Sequence, residues 1–158
     1  MQSITPFLWF DGQAEEAAKF YVSVFKNSKV KQITHYTGEE PSGRKGQVMT
    51  VDFKLDGQEF VALNGGPDFT FNEAVSFQVS CDSQKELDMF WSKLSESGQE
   101  GPCGWLKDKF GLSWQIVPSG LKDLMANPDT KKAEAATKAM LGMKKLDLAE
   151  IQRAADRA

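Results

Sequence analysis

The chain holds one histidine, His35, and two cysteines, Cys81 and Cys103. A zinc centre built from several imidazoles and thiolates would nearly exhaust both residue types, so that chemistry is excluded first. Nucleophilic catalysis by Cys103 needs a base or a positive neighbour to form the thiolate. His35 stands near a strand end in the other half of the chain, and no sequence feature brings it to Cys103. The charged groups open to acid–base work are Asp52, Glu59 and Asp108, which read more simply as strand-face and turn residues. A methyl donor with an adenosyl group usually needs a glycine-rich turn between strand and helix. Asp11-Gly12-Gln13 has one glycine, and Gly65-Gly66-Pro67 leads into a Phe-rich loop rather than a helix. Trp105, in the glycine-rich stretch Gly101-Pro102-Cys103-Gly104, is the aromatic best placed to line a pocket.

Elements must position these groups. Ile4-Thr5-Pro6-Phe7-Leu8-Trp9-Phe10 has strand length, and Asp11-Gly12 breaks it. Ala14, Ala17, Ala18, Tyr21 and Phe25 then recur at helical spacing. Residues 30–36, 47–55 and 59–64 follow as strands. In the second of these, Val51, Phe53 and Leu55 alternate with Thr50, Asp52 and Lys54, giving one buried and one wetter face. Asp56-Gly57 is a two-residue hairpin signal. The pattern then repeats. Residues 75–80 alternate as a strand, Ser83 with Glu86 forms a capping box, and Leu87, Phe90, Trp91 and Leu94 make a helical stripe. Offset by 71, Asp11-Gly12-Gln13 lies on Asp82-Ser83-Gln84 and Glu15 on Glu86. Asp108-Lys109-Phe110-Gly111 is a turn before the final strand, 112–117. Alternation sets Trp114 and Gln115 on opposite faces of that strand. From Ser119 the chain is helical: Ala133, Ala136, Met140 and Met143 form one stripe, and Leu146-Asp147 with Glu150 and Ile151 is a complete helix start.

Each half therefore reads strand, helix, then two or three strands. The expectation is an α+β fold of paired βαβββ modules, sharing a core and a cleft, with a C-terminal helical extension. A single domain is expected over 1–158, with module one at 1–67, module two at 74–118 and the extension at 119–158. A length of 158 residues at 41% hydrophobic can bury a real core without staples. The net charge of −3 argues against nucleic acid, and no apolar run approaches a membrane span. No secretory signal is visible at the first residues, so a cytoplasmic protein with reduced cysteines is expected.

Several segments together are similar to the PhnB-like branch of the vicinal oxygen chelate superfamily, often labelled 3-demethylubiquinone-9 3-methyltransferase-like. They are residues 4–10, Ala14-Glu15-Glu16-Ala17 with Phe20-Tyr21, Leu63-Asn64-Gly65-Gly66-Pro67, Cys103-Gly104-Trp105-Leu106-Lys107-Asp108 and Gly111-Leu112-Ser113-Trp114-Gln115-Ile116-Val117-Pro118. Glyoxalase I, extradiol dioxygenases and bleomycin-resistance proteins are relatives of that branch. The resemblance covers nearly the whole chain, including residues 140–148, and implies paired βαβββ modules and a homodimer. It also implies four strand positions that hold a metal in the metal-using relatives. Here they fall at Pro6 (or Thr5), Thr50, Ser76 and Gln115. Proline offers no side-chain donor, and neutral hydroxyls are poor ligands beside imidazole or carboxylate. No metal and no cofactor are therefore expected.

The leading expectation is a metal-independent small-molecule-binding protein with Thr50, Asn64, Ser76, Trp105 and Gln115 on the cavity wall. At its motif position Gln115 faces the cavity and offers one acceptor and two donors. The ligand is unnamed. The competing reading is an enzyme of the same superfamily: a lyase, a dioxygenase or, as the family label suggests, a methyltransferase acting on a quinone-like substrate. A third is a structural dimer module, in which the stripe from Ala133 to Met143 packs on the domain or a second subunit.

Overall fold

A computed structural model describes residues 3–158; residues 1 and 2, where the first module is expected to begin, lie outside the described residues. The chain divides into two compact units, one ending at Phe71 and the other spanning Asn72–Ala158.

The first unit runs β1 (Phe7–Phe10), α1 (Ala14–Val24), β2 (Lys29–His35), β3 (Val48–Leu55) and β4 (Gln58–Asn64). Its sheet has the order β1-β4-β3-β2, with β1 parallel to β4 and the other pairs antiparallel. Ala14, Ala17 and Ala18 are fully buried, and their small side chains let α1 lie close on the sheet. Tyr21 and Phe60 both stack with Phe53, with ring centroids 6.2 and 5.4 Å away. Val51, Phe53 and Leu55 are buried while Thr50, Asp52 and Lys54 on the opposite face are half-buried. The Asp56-Gly57 hairpin forms as expected, with Leu55 paired to Gln58 and both turn residues at positive φ, 42° and 93°.

The second unit repeats the topology: β5 (Ser76–Cys81), α2 (Gln84–Ser95), β6 (Gln99–Glu100), β7 (Trp105–Lys107) and β8 (Ser113–Pro118), in the order β5-β8-β7-β6. The Ser83 hydroxyl accepts from the Glu86 N–H at 3.1 Å. The Glu86 carboxylate reaches back to the Asp82 N–H at 3.1 Å, one residue earlier than a regular capping box would have it. Leu87, Phe90, Trp91 and Leu94 are all buried, as their spacing requires.

The extension is three helices, α3 (Leu121–Met125), α4 (Thr130–Leu141) and α5 (Leu148–Asp156). The sequence stripe is corrected at one place. Met143 is not on α4, because the helix closes at Gly142, whose N–H bonds to the Ala139 carbonyl. Asp147 caps α5 by accepting from the Glu150 N–H, and Leu146 and Ile151 are fully buried beside it. The segment before α5 clips onto the turn that precedes β7. The Cys103 and Gly104 N–H groups donate to the Met143 and Lys144 carbonyls, each at 2.8 Å. Gln84 Nε2 donates to the Leu146 carbonyl at 3.0 Å. Only glycine fits at 104, where φ is +83° and a Cβ would meet the Ile116 carbonyl oxygen at 2.9 Å and the Leu146 side chain at 3.0 Å. Among the described residues no helix is long and apolar enough to cross a membrane.

Ile151→Ala removes a fully buried side chain at this junction. It is expected to lower the stability of the protein by about 2–5 kcal/mol, read as a shift of the urea midpoint. An unchanged midpoint would show that the extension contributes nothing to stability.

Candidate ligand-binding face

The turn from β7 to β8 is organised by one carboxylate. Asp108 is 2% exposed. Its Oδ1 accepts from the Phe110 N–H at 2.8 Å and the Leu112 N–H at 3.1 Å, and its Oδ2 from the Trp114 indole N–H at 2.9 Å. The Asp108 N–H bonds to the Leu112 carbonyl at 2.9 Å, closing the loop. Trp114 is thereby held in the core, 3% exposed. Strand alternation then sends Ser113, Gln115 and Val117 to the other face of β8.

On that face Gln115 Nε2 donates to the Ser76 hydroxyl at 2.8 Å. Gln115 is paired in register with Gln78 on β5 and with Trp105 on β7. Three of the five expected wall residues, Ser76, Trp105 and Gln115, therefore stand together on one face of the second sheet. Two clefts meet at Trp105. One, of about 460 Å³, has Gln78, Ser80, Gln115 and Val117 on its sheet side and Met140 and Leu141 on its helical side. The other, of about 530 Å³, is lined by Cys103, Trp105, Lys107, Ser113 and Glu73 among others. Ser113 is fully buried, and its hydroxyl has no hydrogen-bond partner. Lys107 forms an ion pair with Glu73, and the hydrogen bond from its ammonium holds the Glu73 carboxyl below the usual carboxylate range.

Thr50 and Asn64 lie on the first unit. Thr50 is paired with Thr34 across β2 and β3, and the two hydroxyls are hydrogen-bonded. Asn64 uses both ends of its amide: Oδ1 accepts from the Ala14 N–H at 2.9 Å, and Nδ2 donates to the Val48 carbonyl at 3.0 Å. It thereby supplies the cap that Gln13, at the start of α1, does not. Asn64 also borders a polar cleft with Asp11, Tyr36 and Arg44 on that unit.

The charged groups weighed for catalysis have structural partners. Glu59 is an exposed carboxylate paired with Lys31 at 3.0 Å and Lys54 at 3.8 Å. Asp108 holds its turn, and Asp52 is a half-buried strand residue paired with Val61 and Gln32. Cys81 is buried; desolvation, reinforced by the Glu86 and Asp82 charges, pushes its thiol up to about 12. Cys103 is half-exposed at φ 58°, with its thiol 3.8 Å from the Leu141 carbonyl. His35 is exposed on β2 of the first unit. Among the described residues, no three His, Cys, Asp or Glu side chains gather where a metal ion could sit.

Sequence reasoning missed Ser113, Gln78 and Ser80, although the period-two rule places all three on the face of Gln115 and Ser76. It also missed Met140 and Leu141 as cleft residues. They are contributed by a segment remote in sequence, and no local signal marks them.

Two βαβββ units with this strand order are the paired-module fold expected from the sequence. The model of one family, 3-demethylubiquinone-9 3-methyltransferase, matches residues 2–117, and the chain belongs to that family. A PhnB protein of Bacillus cereus is 38% identical, with a TM-score of 0.65 over 74% of this chain and 99% of its own. A Pseudomonas aeruginosa protein is 20% identical, with a TM-score of 0.60 over 74% of this chain and 96% of its own. A fosfomycin resistance protein of Mesorhizobium loti shares the fold at 12% identity and a TM-score of 0.53, over 80% of this chain and all (100%) of its own. No curated protein matches the chain.

Asp108→Ala leaves three N–H donors without their acceptor, two of them buried. A loss of about 3–5 kcal/mol is expected in urea unfolding. The difference between the two thiols gives a second test. At pH 8 the native protein should react with a disulfide reagent at one cysteine per chain, Cys103, and at two after denaturation. Rapid native labelling of Cys81 would contradict its burial.

Proposed function

We propose that this protein binds a small molecule without a metal ion, on the face of the second sheet that carries Ser76, Trp105 and Gln115. The observation that carries this reading is the hydrogen bond between Ser76 and Gln115, two of the positions that hold the metal in metal-using relatives. A hydroxyl and a carboxamide bonded to each other are both neutral, and they offer a divalent ion little charge compensation. The remaining two positions are Pro6, with no side-chain donor, or Thr5, with a neutral hydroxyl, and Thr50, whose hydroxyl is engaged by Thr34. The donor set does not fit the metal. It fits the orientation of a polar group on an organic ligand that an apolar wall holds in place. Thr50 and Asn64 are proposed as ligand contacts on the first unit's own surfaces.

The family description favours a second reading, a methyltransferase. Both strand-to-helix turns, however, use amide donors internally: Ala14 N–H on Asn64, Glu86 N–H on Ser83 and Asp82 N–H on Glu86. Neither is a glycine-rich cradle for an adenosyl donor, and ligand binding is the better supported reading. We read the protein as cytoplasmic and as a homodimer. The dimer is supported by Ile4 and Phe7, apolar side chains 93% and 62% exposed on or beside β1.

Metal analysis of the purified protein tests the central point. Less than stoichiometric Ni, Zn, Mn and Fe is expected, with the same content in Gln115→Ala. A stoichiometric, tightly held ion lost in that variant would overturn the reading. Light scattering at micromolar concentration is expected to give twice the chain mass; a monomer mass would remove the dimer.

A further inference from the structure

The family match ends at residue 117, and solved relatives whose chains are spanned almost end to end cover only 74% of this one. This corrects the resemblance read over residues 140–148: the helical extension lies beyond the family match and is an addition to the shared framework. It is firmly seated. Backbone hydrogen bonds join it to Cys103 and Gly104, Gln84 holds the Leu146 carbonyl, and Lys145 pairs with Asp88 at 3.1 Å. This attachment brings the end of α4 to the cleft that contains Gln115.

The walls of that cleft differ in chemistry. Gln78, Ser80 and Gln115 supply neutral hydrogen-bonding groups from the sheet, while Trp105, Met140 and Leu141 supply an apolar wall. Lys122, at the start of the extension, is the only charged side chain among the described residues lining it. Met140 is half-buried and Leu141 is 59% exposed, so neither is needed to fill the core. A methionine at such a place adapts its shape to what it contacts.

We propose that the extension completes the ligand cleft and sets its specificity. Met140 and Leu141 would hold the apolar body of the ligand against Trp105, while Gln115 meets its oxygen-bearing polar group. The ligand class is a molecule with an apolar body and an oxygen-bearing polar group that is neutral or anionic; Lys122 at the cleft disfavours a cation. This inference rests on the reading of the second sheet's face as the ligand face.

The test uses the full chain and the anionic fluorophore 8-anilinonaphthalene-1-sulfonate as probe. Met140→Glu is expected to weaken its binding about tenfold, since it removes one apolar contact and places a like charge beside the sulfonate. Met140→Leu should retain binding. Ala133→Glu, in a groove on α3 and α4 that has only Leu141 in common with the cleft, should leave it unchanged. An unchanged thermal midpoint in Met140→Glu shows that the fold is intact. If Gln115→Ala and Trp105→Ala weaken binding but Met140→Glu does not, the role of the extension is overturned and the sheet face stands. If none of these variants changes binding, or the parent does not bind, both readings fall. If Ala133→Glu alone weakens binding, the probe sits in the other groove and the inference is overturned.

Discussion

A single buried carboxylate sets the geometry of the second sheet. Asp108 accepts three N–H bonds, two from its own turn and one from the Trp114 indole. Removing a carboxylate from water is costly, and it stays charged only where oriented donors replace the lost solvation. Here those donors also decide direction. With the indole tied to Asp108, Trp114 must face the core, and the next residue, Gln115, must face outward. A one-residue slip of β8 would bury the amide of Gln115 and expose Trp114. Asp108, one of the three carboxylates weighed for catalysis, is instead the reason the face of Gln115 points where it does.

The two units reach the same topology with different local chemistry. In the second, the helix start is capped from within its own turn by Ser83. In the first, Gln13 makes no side-chain cap, and Asn64 at the end of β4 caps α1 across the fold. Asn64 also bonds to the Val48 carbonyl, so it ties helix, β4 and β3 together. A polar residue within a family motif can thus serve the framework as well as a ligand. Ser76 and Gln115 differ from it. Their bond links two strands that the backbone already pairs in register, so nothing in the ladder depends on it. The architecture would tolerate other residues there, which leaves the identity of this pair to be explained by what the face contacts.

Features governed by nearest neighbours were legible in the sequence. The Asp56-Gly57 turn, the Ser83 and Asp147 caps, the alternation along β3 and the stripe on α2 depend only on residues a few places apart. The duplicated element order was legible for the same reason, and the family resemblance extended it to the whole fold. Part of the candidate site was legible because the face of Gln115 follows from strand period. Ser113, Gln78 and Ser80 were open to the same rule but were obscured by their ordinary side chains. The role of Asn64 and the contact of Met140 with the cleft were not legible. Asn64 acts on a residue 50 positions away, and Met140 reaches its cleft through the attachment of the extension to residues as remote as Gln84, Cys103 and Gly104.

That attachment separates what holds the extension from what the extension presents. Its position depends on main-chain hydrogen bonds and on Leu146, Ile151 and Ala155, which are buried and sensitive to change. Gly104 enforces the close approach, because any larger residue would push Leu146 and the β8 backbone apart. Met140 and Leu141 lie outside this constraint and can vary at little cost to stability. The sheet face behaves in the complementary way. Gln115 is fixed in direction by Asp108 and Trp114, two buried residues bonded to each other. A cleft with one rigid polar wall and one replaceable apolar wall keeps the orientation of a bound polar group constant while the shape it accepts for the apolar body can change. On the proposed reading, substitution on the added helices changes the ligand preference without rebuilding the shared βαβββ framework.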